Sequence, residues 1–179
     1  MRMFPINTAT LFMKLKNTTS DIKLRWFQVR IIHNILTTNK STAKFIHDQS
    51  DQCEFCQTEP ESIEHLLWEC PITRQFWNNL AELVNKRCTH AHNIYFHKEL
   101  VLLGLSNNIK TDKVLDQIIL IVKFHIYKSK VIKIEPSINR FRNELFSIYN
   151  AEKHIHLDSQ IFKANWHPYL DLFRSLIRL

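Results

Sequence analysis

The chain has 179 residues, of which 45% are hydrophobic, a formal net charge of +7 and a single glycine, Gly104. This hydrophobic content is enough for a packed core, and one glycine excludes the Gly-rich loops that hold phosphates in many nucleotide-binding enzymes. The first residues lack the apolar run of a signal peptide, and the longest apolar run, residues 118–122, is too short to cross a bilayer. We therefore expect an intracellular protein, nuclear or cytoplasmic, that is neither secreted nor in a membrane.

In chain order, residues 1–19 are predicted to form a partly ordered segment. Thr-Thr-Ser-Asp at residues 18–21 offers N-caps for a helix over residues 22–36. At helical spacing, apolar stripes are typical of a face that packs on a core. This helix has two such stripes side by side, one of Ile22, Trp26 and Val29 and one of Phe27, Ile31 and Ile35. A short helix is predicted near residues 41–46.

Three of the four cysteines fall within residues 53–70, which read CEFCQTEPESIEHLLWEC. The pattern Cys53-x2-Cys56-x8-His65-x4-Cys70 supplies four ligands of the types that close a tetrahedral structural zinc site. Four unrelated residues are one alternative. A disulfide framework is another, but an odd number of clustered cysteines pairs badly. We predict one structural Zn²⁺ per chain at Cys53, Cys56, His65 and Cys70.

The second ligand pair is predicted to lie at a break between two helices. Residues 61–69 have helical character, and Ser62 is available as an N-cap. Pro71 disfavours helical geometry at Cys70 and suits the first position of the next helix. On a continuous α-helix, His65 and Cys70 would point about 140° apart. The predicted break at Cys70 therefore helps both side chains reach one ion.

The rest of the chain is poor in turn residues and rich in apolar residues at helical spacing. Trp68 and Trp77 are predicted to serve packing. The further predicted elements are helices over residues 71–86, 112–131 and 159–179, the last broken near Pro168, a helix from residue 137, and a strand or helical turn over residues 99–105. Together these predict a mainly α-helical fold organised around a single Cys-Cys-His-Cys zinc knuckle.

A second metal site is conceivable in the His-rich segment that follows residue 86. Its ligands would be Cys88, His90, His92 and His97. Their alternating spacing fits a strand that the surrounding sequence does not support, so a His-rich loop is favoured.

Charge is distributed unevenly along the chain. Residues 45–73 contain seven acidic residues and no Lys or Arg, for a charge of −7, whereas the rest of the chain carries +14. The knuckle is therefore predicted to repel phosphates, and any nucleic-acid contact is expected on its flanks. The candidate contacts are Arg25 and Arg30 in the first helix, and Lys123, Lys128, Lys130, Lys133, Arg140 and Arg142 farther on.

Residues 123–142 are the densest basic stretch, with a charge of +5 and interspersed aromatic residues. One interpretation is an edge that contacts phosphates, with aromatic rings available for base stacking. The other is a solvated helix face whose aromatic rings belong to the core. The sequence leaves both open.

The order of these features resembles a known family. Residues 23–39 (KLRWFQVRIIHNILTTN) precede the Cys53-x2-Cys56 pair, which is followed by ESIEHLLWECP at residues 61–71 and by Phe76-Trp77. This order resembles the zinc-binding domain at the C-terminal end of reverse transcriptases from non-LTR retrotransposons. The resemblance divides the chain into the N-terminal segment 1–19, a zinc-binding domain over residues 20–86, and a helical region 87–179 whose independence stays open.

The resemblance implies that the same four residues bind zinc and that the domain holds RNA or target DNA. A reverse transcriptase catalytic domain is a further implied partner. The Tyr/Phe-x-Asp-Asp motif of that catalytic domain has no counterpart in the sequence, and no endonuclease motif is visible, so we expect no enzymatic activity. The alternative function is a protein–protein interaction module in which zinc is purely structural. RNA or DNA preference and oligomeric state are not indicated by the sequence.

Overall fold

The computed structural model describes residue 13 and residues 15–88, 93–104, 113–155 and 159–172. These ranges are mainly helical, as predicted, and an antiparallel bridge between Gln52 and Pro60 is their one β pairing. The elements are α1 (Ile22–Ile32), α2 (Asn39–Thr42), a π-helical turn (His65–Glu69), α3 (Pro71–Arg87), α4 (Lys98–Leu103), α5 (Lys113–Val131), α6 (Ile138–Ile155), α7 (Gln160–Trp166) and a 3₁₀-helix (His167–Leu172).

Helix α5 lies at the centre of the fold. Its apolar residues are buried on several sides, as predicted for the long helix over residues 112–131. It packs against α1, the π-helical turn, α6 and α7, while the 3₁₀-helix packs against α3. The buried residues of all these elements form one continuous core. Residues on both sides of position 86 therefore contribute to the same hydrophobic core.

Helix α1 ends at Ile32, four residues before the predicted end. Asn34 has a positive φ of 55°, and its N–H donates to the carbonyl of Ile31. The next residue, Ile35, donates its N–H to the carbonyl of Arg30 at 2.9 Å. These two bonds form a Schellman motif, in which a left-handed residue satisfies the last carbonyls of a helix. At the other end the predicted cap is present, because the Asp21 carboxylate accepts the N–H of Lys23 at 2.7 Å.

The face of α1 that packs on the core is narrower than predicted. Phe27 lies in the core and places its ring 5.2 Å from Phe124 and 5.5 Å from Tyr127 of α5. By contrast, Ile22 and Trp26 are 66% and 62% exposed. The prediction that they belong to a core-facing stripe is therefore wrong. Helices α4 and α5 contact α1 on the Phe27 side and leave the other side to solvent.

The shorter elements resolve or correct three further predictions. Helix α2 begins two residues before the predicted start, where the Thr38 side chain accepts the N–H of Ser41 and the Ser41 side chain accepts the N–H of Thr38. The strand-or-helix alternative over residues 99–105 is resolved as α4, which ends at Leu103 and is capped by Gly104 with φ 65°, while residue 105 lies outside the described ranges. In the last predicted helical region, α7 ends at Trp166 and the 3₁₀-helix follows, which agrees with the predicted break near Pro168, while residues 173–179 lie outside the described ranges. No helix in the described ranges has the length and apolar character needed to cross a membrane.

The left-handed conformation of Asn34, just after the end of α1, can be tested by substitution. Replacing Asn34 by Ala should lower the free energy of unfolding by about 1–2 kcal/mol, since a Cβ without a local hydrogen-bonding group is unfavourable in this conformation. Asn34→Gly is the matched control and should stay close to wild type. Urea midpoints at constant zinc concentration measure both changes, and an Asn34→Ala midpoint equal to wild type would contradict the assignment.

Candidate metal centre

Four side chains converge at the start of α3. The ligand atoms of Cys53, Cys56, His65 and Cys70 all lie within 4.8 Å of one another. Cys53 Sγ is 3.9 Å from Cys70 Sγ, and Cys56 Sγ is 3.2 Å from His65 Nε2. A tetrahedral zinc with Zn–S bonds of about 2.3 Å separates two sulfurs by about 3.8 Å. The four residues predicted from their spacing thus form one cluster that fits a zinc ion.

The first ligand pair is held in a tight backbone turn. Cys53 donates its N–H to the carbonyl of Glu59 at 2.8 Å, and Gln57 donates its N–H to the carbonyl of Cys53 at 3.0 Å. Gln57 turns the chain with a φ of 56°. Backbone N–H groups of residues 55 and 56 face the Cys53 sulfur, and those of residues 58 and 59 face the Cys56 sulfur. The turn therefore surrounds both sulfurs with donors that stabilise thiolates.

The second pair is positioned by the π-helical turn. Ser62 Oγ accepts the N–H of His65 at 3.0 Å, as expected for the N-cap. Cys70 then donates its N–H to the carbonyl of His65 at 2.8 Å, five residues earlier. A π turn contains more residues than an α turn, so positions i and i+5 come to the same side. The helix junction predicted at Cys70 is present. The π geometry brings His65 and Cys70 to one side, although on an α-helix they would point about 140° apart.

The π turn and Pro71 leave two backbone carbonyls without their ordinary helical donors. The N–H that would bond to Leu66 in an α-helix is that of Cys70, which is already used, and Pro71 has no N–H for Leu67. The Thr73 hydroxyl donates to the Leu66 carbonyl at 2.9 Å. The Trp77 indole N–H donates to the Leu67 carbonyl at 2.8 Å. Helix α3 therefore satisfies both carbonyls of the turn that precedes it.

The environment of Cys70 favours a thiolate. The hydrogen bond from the Cys53 thiol lowers the pKa of Cys70 to about 5, with further help from the backbone N–H groups of residues 72 and 73 at the start of α3. The same Cys53–Cys70 bond, together with burial, raises the pKa of Cys53. In the metal-free pair the Cys53 thiol proton therefore lies in a hydrogen bond to the Cys70 sulfur. Zinc would displace that proton, because it binds thiolates.

Cys56 is more accessible than the other two cysteines of the cluster. Partial burial raises the pKa of its thiol, but hydrogen bonds from the Thr58 hydroxyl and the backbone N–H of Thr58 outweigh burial and lower the pKa. His65, whose Nε2 contacts the Cys56 sulfur, is buried. All four groups are therefore placed to hold a zinc ion, whose role would be to tie the knuckle to the start of α3.

Glu61, one of the seven acidic residues predicted to repel phosphates, is a buried structural residue. It is fully buried and accepts the backbone N–H groups of Asn39 at 2.9 Å and Glu54 at 3.0 Å. Its carboxylate also lies 3.1 Å from Lys130 Nζ. One carboxylate therefore joins α2, the knuckle and α5.

Other acidic residues of the knuckle pair with lysines from the C-terminal half. Lys98 Nζ lies 2.7 Å from Glu69 and 2.9 Å from Glu64, and these two bonds raise the pKa of Lys98. Lys133 Nζ lies 3.8 Å from Glu54. The acidic segment is thus partly neutralised by the fold itself.

The cations predicted along residues 123–142 differ in exposure, and each has a partner within the fold. Lys123 is 1% exposed and donates to Gln28 Oε1. Lys128 donates to Glu144 at 2.7 Å. Lys130 and Lys133 face Glu61 and Glu54, as described above. Arg140 donates to the Glu135 carbonyl, and Arg142 donates to the Leu172 carbonyl at 3.0 and 2.8 Å.

The two arginines predicted in the first helix differ from each other. Arg25 donates to the carbonyls of Thr19 at 2.6 Å and Lys16 at 3.1 Å, and so holds the segment before α1. Arg30 is exposed on the outer side of α1. Sequence reasoning could not separate them, because the difference depends on how the N-terminal segment folds back.

The second metal site considered at Cys88, His90, His92 and His97 is not formed by the described part of the chain. His90 and His92 lie outside the described residues. Cys88 is buried. His97 caps α4, where its Nδ1 accepts the N–H of Leu100 at 3.3 Å and lies 3.1 Å from Glu99.

The two tryptophans near the cluster pack as predicted. Trp77 is 1% exposed and lies 5.0 Å from the ring of Phe96. Trp68 packs on the edge of the core, and the Arg74 guanidinium carbon lies 5.0 Å from the centre of the Trp68 ring.

Comparison with known proteins gives one match. Residues 5–77 match the model of a family described as zinc-binding in reverse transcriptase. Neither a curated protein nor a solved structure matches the chain significantly. The match contains all four residues of the metal cluster.

We expect the purified protein to bind one zinc ion per chain and Cys70→Ser to lose it, because the closed ligand set loses a buried thiolate. Cys88→Ser is the matched control, since Cys88 is also buried but lies outside the cluster. Native mass spectrometry measures occupancy. Equal zinc in wild type and Cys70→Ser would refute the ligand assignment.

Trp77→Phe tests the bond to the π turn. The substitution keeps an aromatic ring but leaves the Leu67 carbonyl without its donor, so the free energy of unfolding should fall by about 1–3 kcal/mol. Trp68→Phe should have a smaller effect, since a phenyl ring can still lie beneath Arg74. Denaturant unfolding of the two zinc-loaded variants compares them, and equal decreases would argue against a special role for the indole N–H.

Proposed function

We propose that this chain, whose residues 5–77 are a zinc-binding domain of the reverse-transcriptase kind, is a non-catalytic module that binds RNA or DNA. Zinc has a structural role in this proposal, because its four ligands come from the protein and two of the sulfurs are fully buried. The ion would fix the knuckle against α3. Nucleic acid would then bind to a neighbouring surface.

The observation that carries the proposal is the difference between two basic segments. Residues 22–47 contain five Lys or Arg residues and no Asp or Glu. Four of these cations are exposed and form no ion pair with the described residues: Lys23, Arg30, Lys40 and Lys44. Residues 123–142 also carry +5, but their lysines face Gln28, Glu144, Glu61 and Glu54. The segment 22–47 therefore offers the stronger attraction for phosphates.

A second candidate function is contact with another polypeptide, for which a reverse transcriptase catalytic domain is the partner that the family suggests. Phe45 and Ile46 are 86% and 54% exposed beside the knuckle. Exposed large apolar side chains that lie together favour a protein contact. This function and nucleic-acid binding predict different responses to salt.

The salt dependence of binding tests the proposal. Lys23→Gln/Arg30→Gln should weaken binding to RNA and DNA oligonucleotides and reduce the slope of log K against log salt by up to about 2 units, since each cation that neutralises a phosphate contributes about one unit. Lys128→Gln/Lys133→Gln removes the same formal charge from paired positions and should change the slope much less. Fluorescence anisotropy between low and physiological salt measures both variants.

The opposite ranking of the two variants would move the phosphate-binding surface to residues 123–142. If the wild-type protein binds neither RNA nor DNA at low salt, nucleic-acid binding is refuted and protein contact is favoured. Zinc content and unfolding midpoints should match wild type in both variants, because the changed side chains are exposed or half-exposed.

A further inference from the structure

The outer face of α1 carries an exposed tryptophan. Trp26 is 62% exposed, whereas Trp77 and Trp166 are 1% and 2% exposed and Trp68 is half-buried. Tryptophan is highly buried on average, because its ring is the largest apolar group among side chains. Trp26 also lies on a regular helix whose other face is fixed in the core by Phe27 and Ile31. Its exposure is thus imposed by the packing of α1.

Trp26 is part of a short surface that combines apolar and positive groups. Ile22 and Arg30 lie one helical turn before and after it, and both are exposed. Residues four apart on an α-helix are neighbours, with Cβ atoms about 5–6 Å apart. Lys23 is exposed one residue after Ile22. We define the outer α1 face as Ile22, Lys23, Trp26 and Arg30.

We propose that the outer α1 face binds single-stranded nucleic acid, with a base stacked on Trp26 and the adjoining phosphates bound by Lys23 and Arg30. This inference rests on the proposed function and specifies which form of nucleic acid is preferred. An aromatic ring can stack on the flat face of any base, but in a duplex those faces are covered by neighbouring base pairs. A single strand is the form that presents both a free base face and a phosphate.

Charge favours this occupant over a polypeptide. No acidic residue occurs between positions 22 and 47, and both charged residues of the outer α1 face, Lys23 and Arg30, are positive. Most protein surfaces intersperse both signs of charge and would leave part of such a face without a partner. A polyanion matches it throughout. The aliphatic side chain of Ile22 extends the apolar area beside the Trp26 ring.

Three substitutions of Trp26 separate stacking from simple apolar contact. Trp26→Leu keeps an apolar side chain but removes the ring, Trp26→Phe keeps a smaller ring, and Trp26→Ala removes both. Trp26→Leu should weaken binding to a single-stranded oligonucleotide by about 5- to 150-fold, the range expected when one base–aromatic stack is removed. Trp26→Phe should retain most of the wild-type affinity, and Trp26→Ala should resemble Trp26→Leu.

The probes are a 12-nucleotide oligo(dT), the matching oligo(U) and a 12-base-pair DNA duplex, measured at one fixed salt concentration. Wild type should prefer the single strands, and Trp26→Leu should reduce that preference while leaving duplex binding unchanged. Single-strand affinity of Trp26→Leu equal to wild type, or an equal decrease on single strand and duplex, would overturn the stacking proposal while nucleic-acid binding stands. If wild type binds none of the probes at low salt, the proposed function and this inference both fail.

Discussion

The hydrogen bond from the Cys70 N–H to the His65 carbonyl is the interaction on which the arrangement of the metal centre depends. It spans five residues at 2.8 Å and brings the last two ligands to one side of the chain. It also leaves the Leu66 carbonyl to be satisfied by a side chain of α3. The ligand cluster, the direction of α3 and the burial of Trp77 therefore follow from the same local departure from α-helical geometry.

Glu61 connects this local geometry to the rest of the fold. A fully buried carboxylate is unfavourable unless hydrogen bonds and a positive partner compensate for the hydration that it gives up. Two backbone N–H groups from α2 and the knuckle provide the hydrogen bonds, and Lys130 provides the positive charge. Since Lys130 belongs to the central helix, the zinc-binding region and the C-terminal half are joined by an interaction that neither could complete alone.

The parts that could be predicted from the sequence are those determined within a few residues. The ligand spacing predicted the cluster, Ser62 and Asp21 predicted caps, and Pro71 predicted the break before α3. The remainder depends on distant contacts. Adjacent Trp26 and Phe27 are both aromatic, and only the position of α5 determines which one is buried. Likewise, Glu61 meets a lysine 69 positions later in the chain.

The same distinction explains why the formal charge of a segment does not locate a phosphate-binding surface. A lysine that faces a carboxylate produces a dipolar field, which falls off faster with distance than that of an unpaired cation and is screened further by salt. A phosphate that captured Lys130 would also leave Glu61 buried without its positive partner, which typically costs several kcal/mol. Residues 22–47 have no carboxylate of their own to lose. Attraction of a polyanion to the exposed cations of that segment therefore breaks no ion pair among the described residues.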